Sequence, residues 1–173
     1  MTADLERRLA RAREAFGEEH SETLAAMLDL AEAWWGEGRL GAARRLEESV
    51  VAVRRRHLGA AHPDTLKALG KLAVTLGTQG DLAGARAFQE EIVAGMRARH
   101  GERHRDTLRA LNNLGGTMVA QGDLAGARGL LESVVAMLCD LAGAADPDAL
   151  AAMGNLAGVL WQEGEREEAY ALQ

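Results

Sequence analysis

Rings are scarce in this chain. Its 173 residues hold three tryptophans, two phenylalanines and one tyrosine. A core with so few aromatics must come from Ala, Leu and Val. Ala and Leu favour helices, and strand-favouring residues are few, so the chain reads all-α. There is one cysteine, Cys139, which excludes an internal disulfide and fits a reducing, cytoplasmic compartment. It lies beside Val134–Leu138 and is expected to be buried as a small hydrophobe. No apolar run approaches the ~20 residues of a membrane-spanning helix, and the N-terminus lacks the apolar core of a signal peptide. Basic charge is also short, at 20 Lys and Arg against 26 Asp and Glu. A nucleic-acid binder needs a basic face to displace counterions, so nucleic acid is not an expected partner. The deficit is concentrated. Residues 146–173 carry six acids and one base, which is −5 of the net −6.

What the chain has in abundance is repetition. His20, His62, His104 and Asp146 stand 42 residues apart, as do Gly38, Gly80, Gly122 and Gly164, and Ala43, Ala85, Ala127 and Ala169. The octet Gln-Gly-Asp-Leu-Ala-Gly-Ala-Arg occurs at 79–86 and at 121–128. A fixed period of this size marks a stack of identical supersecondary units, none able to bury its apolar face alone.

Each unit reads as a helical hairpin. In the second copy, His62-Pro63-Asp64-Thr65 signals a start, with Asp and Thr as candidate caps. Leu66, Leu69, Leu72, Ala73 and Leu76 then follow at helical spacing. Gly80 suits a left-handed turn and Asp81 can cap the next helix. The template predicts first helices at 21–36, 63–78, 105–120 and 147–162, and second helices at 40–57, 82–99 and 124–141. Residues 3–15 and 166–173 read as parts of further second helices. The array is then a half repeat at 1–19, repeats at 20–61, 62–103 and 104–145, and a partial repeat at 146–173, expected to be a segment of a longer array. The small residues at the Ala43 phase should let the two helices of a unit cross closely. Interior glycines at 70, 77, 115, 116, 154 and 158 either permit close packing, the favoured reading, or bare the backbone.

Leu111-x-x-Leu114-Gly115-x-x-Met118 followed by Ala127-x-x-x-Leu131 resembles the tetratricopeptide consensus, with Leu and Met replacing aromatics. The 42-residue step, His62 to Leu66, Leu111 to Leu114, Gln79-Gly80 and Gln121-Gly122 resemble its kinesin-light-chain type. The resemblance implies an α-solenoid, a right-handed superhelix of antiparallel helix pairs whose first helices line a concave groove. Glu47, Gln89 and Leu131 depart from it where the second helix usually carries an aromatic, and Asp29 and Lys71 depart where it carries a second Asn.

No catalytic arrangement, cofactor site or metal site is expected. His20, His62 and His104 are too far apart to share a zinc ion and read as capping or turn residues. The octet's glycines follow a helix and not a strand, which excludes a nucleotide fingerprint. Arg54-Arg55-Arg56 point about 100° apart on a helix and read as a solvated helix end.

The candidate binding residues lie in rows along the first helices. One row is Asp29, Lys71, Asn113, Asn155; another is Ala25, Lys67, Arg109, Ala151; a third is Trp35, Gly77, Val119, Trp161. By the resemblance, Asn113 and Asn155, together with Asn112 of the double Asn, would hydrogen-bond a peptide backbone. Lys67, Lys71 and Arg109 could hold a carboxylate. Trp35 and Trp161 are expected to be partly exposed anchors, and Trp34, in phase with Leu76, Met118 and Leu160, to be core. The expected role is a non-enzymatic scaffold that binds a protein or peptide in the groove. The alternative is a sensor or self-association arm of a larger signalling protein of NTPase or protease type, working through open repeat ends.

Overall fold

A computed structural model describes residues 2–172. Among the described residues there are nine helices and no strand: α1 Thr2–Phe16, α2 Ser21–Gly36, α3 Leu40–Leu58, α4 Pro63–Thr78, α5 Leu82–His100, α6 Arg105–Ala120, α7 Leu124–Ala142, α8 Pro147–Glu163 and α9 Arg166–Ala171. The first helices fall where the template puts them, α8 running one residue further, and the second helices each run one residue past it. The described contacts group the chain into two units, residues 1–85 and 86–173, with the boundary in the first turn of α5.

In the first unit α2 packs on α1 and α3, and α3 packs on α4. In the second, α7 lies between α6 and α8, α6 also touches α8, and α9 folds back on α8. Neighbours in sequence are neighbours in space, as expected of hairpins with short connections. Ala43, Ala85, Ala127 and Ala169 are all buried to within 2% of completely, which confirms the small-residue phase.

The helix starts differ from expectation in one detail. The cap is the histidine, not the Asp or Thr after it. His20, His62 and His104 each accept through Nδ1 from the amide two residues on, at 3.3, 3.2 and 3.2 Å, and Asp146 does the same at 2.9 Å. Thr65 points inward instead. Its counterparts Thr23 and Thr107 donate to the carbonyls of Gly17 and Gly101 at 2.6 and 2.7 Å, tying each helix to the turn before it. Asp81 and Asp123 cap second helices, accepting from Gly84 and Gly126 at 3.0 and 3.2 Å. Before them, Gly80 and Gly122 adopt φ of 84° and 82°, a region where a Cβ clashes with its own backbone.

Three sequence expectations are corrected. Cys139 is half-buried, because its phase lies beside the buried stripe of Val134 and Leu138. The Arg54–Arg56 end is engaged as well as solvated. Arg54 donates to the Asp64 carbonyl at 2.8 Å, and Arg56 and His57 both meet Glu19. Of the six interior glycines, only Gly115 is held by tight packing, and Gly77 has one ordinary contact. Gly70, Gly116, Gly154 and Gly158 have open space where a Cβ would stand, so they bare the backbone.

Glu47 is buried where the resemblance led one to expect an aromatic, and its Oε2 has no hydrogen-bond partner. Burial pushes its carboxyl above the usual range, partly offset by a hydrogen bond from Thr75 and by the charge of Lys71. A raised folded-state value favours the protonated acid. Its stabilising contribution is present below the ordinary carboxylate range and is lost as pH rises through the folded value. Glu47→Gln is therefore expected to raise stability by about 1 kcal/mol at pH 7 and to change little at pH 3.5, read by urea unfolding at both. A difference that does not depend on pH would sink this account.

Candidate partner-binding surface

The polar positions of the first helices face outward because each helix buries only the stripe against its neighbours. In α2 that stripe is Leu24, Ala26, Met27, Leu28, Leu30 and Ala31, leaving Asp29 and Glu32 on the surface. In α6 it is Leu108, Ala110, Leu111, Leu114, Gly115 and Met118, leaving Arg109 and Asn113 exposed and Asn112 half-buried.

In the first unit the sequence-predicted cation Lys71 is already paired. Its Nζ lies 2.6 Å from Glu32, and this hydrogen bond holds the Glu32 carboxyl below its ordinary range. Asp29 takes Arg8 of α1 at 2.7 Å. Lys67 is exposed one turn earlier on α4. Trp35 is 40% exposed, as its phase suggests. Trp34 is not core. It is half-buried, with the Arg39 guanidinium 4.5 Å from its ring centre.

In the second unit the predicted residues come together. Asn155 of α8 donates to Asn112 of α6 at 2.9 Å, so two carboxamides 43 residues apart meet side by side. Arg109 contacts Asp148 at 2.7 Å, and the same carboxylate takes Arg105 at 2.7 Å. Arg105 also holds Asp146 at 2.5 Å, which lowers that carboxyl's pKa. These groups wall a cleft of about 320 Å³ lined by Arg109, Asn112, Asn113, Leu138, Asp148 and Ala151. Trp161 is 50% exposed, with Tyr170 edge-on at 5.8 Å and Arg166 at 5.4 Å. Asn113 is exposed beside the amide pair.

The neutralising acids were missed in the sequence. So was a second periodic set, Arg44, Arg86 and Arg128, although its signal is plain: each has a glutamate four residues later, at 48, 90 and 132. Each arginine bridges that glutamate, at 2.7, 3.0 and 2.9 Å, and reaches on to the following turn. Arg86 meets Gln121 and Asp123, both at 3.1 Å, and Arg128 meets Glu163 at 3.0 Å. Each such exposed pair is worth less than about 1 kcal/mol, so they guide register more than they stabilise.

Tetratricopeptide repeat models match residues 23–64, 64–140 and 150–172 in turn. The chain belongs to the tetratricopeptide-repeat family. Its repeats are of the kinesin-light-chain-like kind. A kinesin light chain of Podosopora anserina with nearly identical TPR-like repeats is 29% identical, at a TM-score of 0.89, with 99% of this chain and 81% of that one covered. BtubC from P. vanneervenii is 20% identical at a TM-score of 0.82, covering 98% and 68%. The Rap conjugation gene regulator of plasmid pLS20, in complex with the Phr* peptide, is 16% identical at 0.70, covering 99% and 45%. A comparison with curated proteins returns no match. Tetratricopeptide repeats ordinarily bind proteins or peptides, and the fold is typically non-catalytic. No helix among the described residues is long and apolar enough to cross a membrane.

Proposed function

We propose that this tetratricopeptide-repeat protein is a scaffold whose first-helix surface binds an extended peptide or a peptide-like segment of a protein. The carboxamide pair Asn112–Asn155 beside the exposed Asn113 carries the reading. Carboxamides both donate and accept, which suits the alternating N–H and C=O of an extended backbone. The open glycines at 154 and 158 on α8, with no neighbour where a side chain would stand, leave room for a chain to approach. The peptide complex of the Rap regulator shows that protein, with this fold, holding a peptide.

The predicted cations act differently from the sequence expectation. Lys71 and Arg109 each hold an acid of their own unit, so a ligand carboxylate must displace Glu32 or Asp148. The paired arginines then position Asp148 as an acceptor at the cleft as much as they offer charge. The surface therefore favours backbone recognition over capture of acidic side chains.

Selection from a library of displayed random peptides tests this reading. Peptides enriched on the wild type are expected to bind Asn113→Ala/Asn155→Ala about tenfold or more weakly, with unchanged helicity by circular dichroism. Enriched peptides that bind the double variant equally well would overturn it.

A further inference from the structure

We propose that His100, His104 and Asp106 form a binding site for a divalent transition-metal ion of the zinc–copper class. His100 ends α5, His104 is the N-cap of α6 and Asp106 lies in the first turn of α6. Each offers one donor atom, and the three atoms lie within 4.8 Å of one another. Ligands around zinc sit about 2.0–2.2 Å from the ion, so the donors close onto one ion by shifts of about 1 Å, which surface side chains can make.

The repeat shows that this cluster is not needed for the fold. The ring of His100 stacks on His104 at 4.3 Å and 18°. In the first repeat Phe16 stacks on His20 at 4.7 Å and 19°, with no nitrogen to offer. Leu58 and Ala142 fill the same phase elsewhere. A hydrocarbon thus serves the packing, and the imidazole at position 100 is surplus to it. The set His-x-x-x-His-x-Asp occurs once, because the equivalent triplets Phe16-His20-Glu22, Leu58-His62-Asp64 and Ala142-Asp146-Asp148 lack one or both of the histidines.

Charge around the cluster also suits a cation. Arg97 is held by Glu102 at 2.5 Å, Arg103 by Asp140 at 3.1 Å and Arg105 by Asp146 and Asp148. The neighbouring guanidiniums are balanced, while Asp106 supplies a negative charge. Two imidazoles and one carboxylate match the donors preferred by zinc and copper(II) over magnesium or calcium. The Nδ1 of His104 accepts the capping bond from the Asp106 amide, so ligation through Nε2 leaves the cap in place. The ion would tie the end of α5 to the start of α6. Comparing only the histidines one repeat apart had hidden the pairing of His100 with His104.

Calorimetric titration of the full chain with zinc chloride alone, and NMR with copper(II), tests the site. The wild type is expected to bind one equivalent of zinc. His100→Phe, which copies the Phe16–His20 stack, should keep its helicity and bind at least about tenfold more weakly. Copper(II) should broaden the ring signals of His100 and His104 and spare those of His20, His57 and His62. Absence of binding up to millimolar zinc, equal affinity in His100→Phe, or broadening centred on another histidine would each overturn the proposal.

Discussion

Truncating Leu108 to alanine is expected to lower stability by about 3 kcal/mol, while the same change at Leu150 should cost less than about 0.5 kcal/mol. The two leucines stand one period apart and are indistinguishable by phase. Leu108 is fully buried, on a helix packed against both α7 and α8. Leu150, at the equivalent place on α8, is 53% exposed. Removing Leu108 leaves a cavity that rigid neighbours cannot fill, whereas removing Leu150 mostly removes surface. Urea unfolding, followed by helicity and fitted with a nearest-neighbour repeat model, measures both. Equal losses would show that burial does not govern this phase.

Gly115→Ala should also destabilise, by about 2 kcal/mol, although alanine is the better helix former by about 1 kcal/mol. A Cβ at 115 would lie 2.7 Å from Cδ2 and 2.8 Å from Cγ of Leu131, which is itself fully buried. The clash reaches the branch point of the leucine and not merely its tip, so a rotation does not relieve it. Leu131→Met, unbranched at that carbon, should restore much of the loss in the double variant. Gly158→Ala, with open space around it, should instead gain about 0.5–1 kcal/mol. Opposite signs at these two glycines, read in one unfolding experiment, are the expected outcome. A gain at Gly115 would mean the contact with Leu131 is soft.

The glycine pair also shows how far pattern carries. In this repeat the second helix has Leu131 where the first repeat has buried Glu47, and the facing first helices carry Gly115 and Ala31. Periodicity places each residue at its phase but says nothing of the partner it meets there. Branching at Cγ of Leu131 is accommodated by a missing methyl at 115, a fact of contact between two helices.

The same division runs through the candidate site. Asn112, Asn113, Asn155, Lys67, Lys71 and Arg109 were all legible as surface positions of first helices, because helical spacing and the 42-residue step give direction. That Asn112 meets Asn155, and that Lys71 and Arg109 arrive already holding acids, was not legible. Those partners lie 39 or 43 residues away, and long side chains reach whichever neighbour packing brings near.

Sequence alone therefore determined the helical class, the hairpin unit, the element boundaries to within a residue or so and the family. Each follows from local propensity, turn chemistry and a period, all read along one dimension. Tertiary structure decided which cations are neutralised, which glycines are crowded, that a glutamate is buried, and that two histidines of one loop stack beside an aspartate. Those outcomes depend on distances between segments far apart in the chain, or on side-chain directions at a turn, and a periodic pattern carries neither.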